Sequence, residues 1–251
     1  MRKRLEFLLV VKFALGFLDA QNMRCYNYHI NIWGLNIMVK RILFQGDSIT
    51  DCGRPREVFG GLGNGYANLV AASLGTDSAG EYEFLNRGIG GNRIVDLYAR
   101  IKSDFINLKP DYASILIGVN DAWHEINRHN DVDTKKFETV YTMLLDELMA
   151  ACPDMKLFLM APYVLEGTAT CATEEMPDKW ERFRSDVDEK IEAVKRIAQK
   201  KGLPLIELQP AFDEACKKAP ADYWLRDGVH PTPQGHEIIK RLWIEQFNKI
   251  K

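Results

Sequence analysis

Lys40-Arg41-Ile42-Leu43-Phe44-Gln45-Gly46-Asp47-Ser48 runs from charged residues through an apolar stretch into a Gly-Asp-Ser turn, the pattern of a buried strand that stops abruptly. Gly46 gives the backbone steric freedom to turn sharply, which holds Ser48 at the strand end. Taken alone, Gly-Asp-Ser is commonly a plain turn, because Asp and Ser hydrogen-bond nearby backbone. The same grammar recurs further along. Tyr82-Glu83-Phe84-Leu85 leads into Asn86-Arg87-Gly88-Ile89-Gly90-Gly91-Asn92, and Ala113-Ser114-Ile115-Leu116-Ile117 leads into Gly118-Val119-Asn120-Asp121.

Strands are predicted near 40–46, 82–86, 112–117, 156–161 and 203–207, and helices near 65–74, 93–107, 134–151, 179–201 and 233–249. Pro231, Pro233 and Gly235 mark the entry to the last helix. Alternating strands and helices predict a parallel sheet with helices on its faces. In such a sheet a ligand binds beyond the carboxyl ends of the strands. Ser48, Gly91 and Asn120 are each expected there, each after a different strand.

Near the other end stands Asp227-Gly228-Val229-His230. Asp, Gly and Pro are ordinary loop residues. Combined with Ser48, however, a histidine can act as base and an aspartate three residues earlier can orient its imidazole. Acyl transfer also needs donors for an oxyanion, each worth roughly 3 kcal/mol of barrier. A serine, a glycine N–H and the Asn120 amide would supply three.

With these four blocks in this order, residues from about 40 to 250 resemble the SGNH/GDSL hydrolase superfamily, named for its Ser, Gly, Asn and His. The resemblance implies a three-layer α/β/α sandwich around a five-stranded, flavodoxin-like parallel sheet. It also implies Ser48 as nucleophile and oxyanion donor, Gly91 and Asn120 as the other donors, and Asp227 with His230 completing a triad. Gly91 rather than Gly90 follows from matching Asn-x-(Gly or Ser)-Ile-x-Gly to residues 86–91. Neither metal nor organic cofactor is expected.

Other candidates carry less. Ala71-Ala72-Ser73-Leu74-Gly75 imitates a nucleophile elbow but ends a predicted helix. The glycine runs at 61–65 and 88–91 do not complete Gly-x-Gly-x-x-Gly. His124 and His129, near Asp121 and Glu125, match no usual helical zinc spacing and are expected in a polar rim loop. His236 is expected to be a satisfied or solvent-facing histidine. Cys52 lacks a strand-end setting of its own, and Asp47 and Asp51 are expected to shape the turn by local hydrogen bonds.

The chain has 251 residues, 46% of them apolar, enough for one domain with a sizeable core, and a formal net charge of −2. Residues 1–37 hold five basic and two acidic residues, leaving −5 on the remainder, which argues against a nucleic-acid partner. Met1 to Leu18 has the outline of a signal sequence, interrupted by Lys12 and followed at once by Asp19, and its apolar run is too short to span a membrane. Residues 1–37 are therefore expected to be a misassigned start or a disordered, signal-like extension, with the hydrolase domain at 38–251. Five cysteines without a Cys-x-x-Cys pair indicate reduced thiols and a cytoplasmic setting, or a secreted one if the signal is genuine.

The segments 123–133 and 163–180 are candidates for the pocket, and neither forms a long apolar face. This leans toward a small acyl ester, acetyl above all, on a carbohydrate or other polar carrier. Trp123 and Trp224 would stack on sugar rings or serve packing. The resemblance also admits lysophospholipases and thioesterases, and a non-catalytic flavodoxin-like binding protein is the reading from another class.

Overall fold

The computed structural model describes residues 29–32, 35–130 and 132–251. The chain divides into two units, Met1–Val39 and Lys40–Lys251. In the first, strands β1 (His29–Ile32) and β2 (Leu35–Met38) pair antiparallel, with Ile30 opposite Ile37. Most of the expected extension over residues 1–37 lies outside the described residues.

The second unit carries β3 (Lys40–Gly46), β4 (Tyr82–Asn86), β5 (Tyr112–Leu116), β6 (Lys156–Met160) and β7 (Leu205–Ile206) in the order β4-β3-β5-β6-β7, every neighbouring pair parallel. This is the flavodoxin-like sheet, and all five predicted strands are present. Gly46 is in register with Leu116, so β3 and β5 end side by side.

The helices are α1 (Ser48–Asp51), α2 (Tyr66–Asp77), α3 (Ile94–Ala99), α4 (Ile101–Asp104), α5 (Val119–Arg128), α6 (Thr134–Ala151), α7 (Lys179–Lys201), α8 (Gln209–Cys216), α9 (Ala221–Trp224) and α10 (Pro233–Ile250). Two expectations need correction. The single helix expected over 93–107 is α3, α4 and a 3₁₀ turn at Ile106–Leu108, interrupted at Arg100. The polar loop expected after Asn120 is helical instead: α5 places Val119, Ala122 and Ile126 on a buried stripe, and His124 on the helix itself.

Because parallel strands alternate their side chains, the sheet is apolar on both faces. Ile42, Phe44, Phe158 and Met160 form one core with α2, α10 and the first half of α7. Leu43, Ala113, Ile115 and Leu159 form another with α3, α6 and the second half of α7. At the centre of the first, Trp243 lies 5.2, 5.3 and 5.1 Å from the rings of Phe44, Phe158 and Phe247. Its indole N–H donates to Ser114 Oγ at 2.9 Å, which satisfies the two buried polar groups together.

Candidate active site

Gly46 ends β3 where nothing larger fits: an added Cβ would stand 2.3 Å from Leu116 O and 2.5 Å from Thr50 Oγ1. The steric freedom expected of it therefore serves this close approach. Asp47 then caps α1, its Oδ1 accepting the Ile49 N–H at 3.0 Å, and Ser48 opens the helix. Asp51, at the end of that turn, accepts from Arg54 N–H (3.2 Å), Gly90 N–H (3.1 Å) and the Arg56 guanidinium (2.9 Å). Both carboxylates thus shape the turn locally, as expected.

His230 lies 182 positions downstream, yet Ser48 Oγ and His230 Nε2 are 2.9 Å apart. On its other side, His230 Nδ1 meets Asp227 Oδ2 at 2.7 Å. Asp227 Oδ1 accepts the backbone N–H groups of Val229 and His230 at 3.0 and 2.8 Å. Burial alone would raise the Asp227 carboxyl, but the His230 ring and these two N–H groups hold it well below the usual carboxylate range. An ionised Asp227 keeps the proton on Nδ1 and leaves the Nε2 lone pair toward Ser48.

The loop carrying both residues is closed by a bridge between Leu225 and Pro231, and Arg226 N–H donates to His230 O at 2.9 Å. Gly228 turns there with φ +97, and a Cβ on it would meet Leu165 O and Thr170 Oγ1 at 2.5 Å. Leu165 N–H donates to Gly228 O at 2.9 Å. Part of the segment expected to build the pocket therefore braces this loop.

Past the ends of β4 and β5 stand the other two predicted residues. Gly91 adopts φ +80, a left-handed backbone that glycine tolerates freely. Asn120 is buried in the first turn of α5, its Nδ2 donating to Asn92 O at 3.2 Å, which leaves the second amide hydrogen for another acceptor. Asp121 beside it is fully buried and receives Ile94 N–H on both oxygens, at 3.1 and 3.2 Å, anchoring the start of α3. Burial raises its carboxyl well above the ordinary value.

Two bracing residues escaped the sequence reading. Asn86 Nδ2 donates to Thr50 O and Leu62 O at 2.6 and 2.8 Å, while its Oδ1 accepts Gly88 N–H at 2.9 Å. Arg100 spans Gly46 O, Arg87 O and Asn92 Oδ1 at 3.1, 2.8 and 2.7 Å, fixing the ends of β3 and β4 against the Gly91 loop. A lone Asn or Arg inside a helical or loop pattern gives no sequence signal for such roles.

A cleft of about 480 Å³ opens beside Ser48 and His230 and includes Cys52, Asn64, Arg226 and His236. His236 Nδ1 accepts Tyr66 N–H at 3.1 Å, so its proton sits on Nε2, 3.3 Å from Cys52 Sγ. Burial, with the positive charges of Arg226 and His230, pushes His236 down to about 4, and burial pushes the Cys52 thiol up. The pair is neutral near pH 7, and His236 is the satisfied histidine that was expected. Trp123 packs edge-on against Phe183 at 5.7 Å and lies 6.0 Å from the His230 ring. Trp224 donates its indole N–H to Ala219 O at 3.2 Å.

An acetylxylan esterase from Geobacillus stearothermophilus is 36% identical over 223 residues, covering 83% of this chain and 94% of that protein. A solved structure of an acetylxylan esterase from that organism superposes with a TM-score of 0.71 at 34% identity, covering 82% of this chain and 93% of that one. Variants of that enzyme described as catalytic mutants replace a serine, an aspartate and a histidine three positions after the aspartate; a further variant replaces the tryptophan directly before the aspartate. The structure of a GDSL-like lipase from Parabacteroides merdae superposes with a TM-score of 0.76 at 33% identity, covering 84% and 98% of the two chains. The GDSL-like Lipase/Acylhydrolase family matches residues 44–238, and with relatives of this identity and coverage the chain belongs to that family and is a carboxylic ester hydrolase.

Proposed function

We propose that this esterase removes acetyl groups from a carbohydrate or similarly polar carrier through an acyl-Ser48 intermediate. The observation that carries the chemistry is the unbroken relay from Ser48 Oγ through His230 to Asp227, with steps of 2.9 and 2.7 Å. His230 Nε2 takes the Ser48 proton as Oγ attacks the ester carbonyl, and Asp227 steadies the imidazolium that forms. The developing oxyanion accepts hydrogen bonds from the N–H groups of Ser48 and Gly91 and from the Asn120 amide. Gly91 is favoured over its neighbour because the Gly90 N–H is already engaged by Asp51.

Collapse of the tetrahedral intermediate breaks the bond to the leaving oxygen, which takes the proton from His230 and departs as the alcohol. Water then gives a proton to His230 and attacks the acyl carbon. The second collapse restores Ser48, with its proton, and releases the acid. Likeness to an acetylxylan esterase supports acetyl as the acyl group, as does a cleft beside Ser48 whose side chains are short or polar rather than a long apolar wall.

Hydrolysis of para-nitrophenyl acetate, butyrate and octanoate by the wild type and Ser48→Ala tests both parts. Serine-dependent turnover fastest on acetate is expected, with release of acetate from acetylated xylo-oligosaccharides. Octanoate turned over faster than acetate would overturn the acetyl assignment, and a Ser48→Ala variant as active as the wild type would overturn the mechanism.

A further inference from the structure

Arg226 is the one permanently charged side chain lining the cleft beside Ser48 and His230, among the described residues. Ser48, Cys52, Asn64 and Thr232 are uncharged there, and His236 is held neutral. The Arg226 side chain is exposed and forms no salt bridge with any described carboxylate. Its backbone, in contrast, is fixed: the N–H donates to His230 O at 2.9 Å, and the Leu225–Pro231 bridge closes the loop around it. A guanidinium without an ion-pair partner among the described residues therefore rises from a rigid platform directly before Asp227. Its charge reaches into the cleft, where it acts on both Cys52 and His236. The Geobacillus acetylxylan esterase has a tryptophan directly before its catalytic aspartate, an aromatic face where this chain presents a cation.

We infer that Arg226 selects esters whose carrier, the alcohol half, bears a carboxylate. The inference rests on the esterase reading above and adds to it the charge of the substrate. The leaving oxygen must come within reach of His230 Nε2 to be protonated, so the carrier departs along the side of Ser48 that His230 occupies. The cleft with Arg226 is on that side, and neither Gly91 nor Asn120 lines it. A single planar guanidinium matches a carboxylate with two parallel hydrogen bonds.

The test compares para-acetoxybenzoate, whose leaving group carries a carboxylate, with its uncharged methyl ester, in the wild type, Arg226→Gln and Arg226→Lys. The quantity read is the ratio of kcat/KM for the charged ester to that for the neutral one, which cancels differences in folding or intrinsic reactivity between variants. Arg226→Gln is expected to lower this ratio about fivefold at low salt, as befits one partly exposed ion pair, and Arg226→Lys to lower it less, keeping the charge but losing the paired hydrogen bonds. Added salt shrinks the difference. A second arm uses para-nitrophenyl hemisuccinate against the butyrate, which moves the carboxylate to the acyl half, and there the ratio should not respond to Arg226. The inference is overturned if the first ratio is equal in wild type and Arg226→Gln, or if only the hemisuccinate arm responds. Turnover of the methyl ester in those cases leaves the esterase reading standing. If the wild type hydrolyses neither acetate, that reading falls and this inference with it.

Discussion

Replacing Asp227 by asparagine keeps the shape of the site and inverts its hydrogen bonding. The Asn oxygen takes the place that accepts two backbone N–H groups, at 3.0 and 2.8 Å, because the amide nitrogen cannot accept them. The NH₂ then faces His230 Nδ1, where Asp227 Oδ2 had stood at 2.7 Å. Two donors cannot share that contact, so the ring proton moves to Nε2 and points at Ser48 Oγ, and the base is lost. Keeping the productive tautomer forfeits a charge-assisted hydrogen bond, about 1.5–3 kcal/mol. The imidazolium formed during attack then meets a neutral amide instead of a carboxylate, a further cost of comparable size. Together about 4–5 kcal/mol is removed from transition-state stabilisation, or roughly 10³–10⁴ in kcat, with KM little changed. Steady-state hydrolysis of para-nitrophenyl acetate, with thermal melting to confirm folding, measures it. A folded Asp227→Asn enzyme retaining more than about a tenth of wild-type kcat would refute the tautomer argument.

Asn120→Ala should lower kcat by about 10²–10³ while costing only about 1 kcal/mol of stability, since the amide loses one bond to Asn92 O; parallel kinetics and denaturant melts separate the two. Asp47 is fully buried, and burial raises its carboxyl to about 7 while Oδ2 lacks a partner among the described residues. The fold therefore holds a proton that the unfolded chain releases near pH 4, and stability contributed here falls as pH rises from about 4 to about 7 and then levels. Asp47→Asn should flatten that slope, so its melting temperature relative to wild type rises between pH 5 and pH 8; parallel curves would contradict it. Trp243→Ala removes the centre of a core cluster and strands Ser114 Oγ, and should cost about 3–5 kcal/mol in urea unfolding without moving the active-site residues.

Strands β3, β4 and β5 were legible because each couples an apolar run to a Gly- or Asn-bearing stop, and the candidate site residues Ser48, Gly91 and Asn120 follow those stops. Ser48, Asn120, Asp227 and His230 could be read for the same reason: each sits in a short block where residue type and position carry meaning together. Helix α5 was missed although Val119, Ala122, Trp123 and Ile126 have helical spacing, because Gly118-Val119-Asn120-Asp121 reads as a turn when viewed as a motif. What crowds Gly46 was not legible, since a carbonyl from another strand leaves no trace in local sequence. Asn86 and Arg100 act through contacts set by tertiary neighbours. No periodicity encodes those contacts, and only the assembled sheet edge reveals them.

The 182 positions between Ser48 and His230 bear on how activity arises during synthesis. Asp227 and His230 are neighbours in one closed loop and can find each other as soon as that loop forms. The serine waits for the last strand crossing and for the loop that follows it. On the mechanism proposed above, a chain released before residue 230 holds its nucleophile with no base, so partial products should be far less able to attack esters in their surroundings. Turnover per molecule becomes a direct count of chains that have closed the whole sheet, usable as a folding readout where spectroscopy is blind.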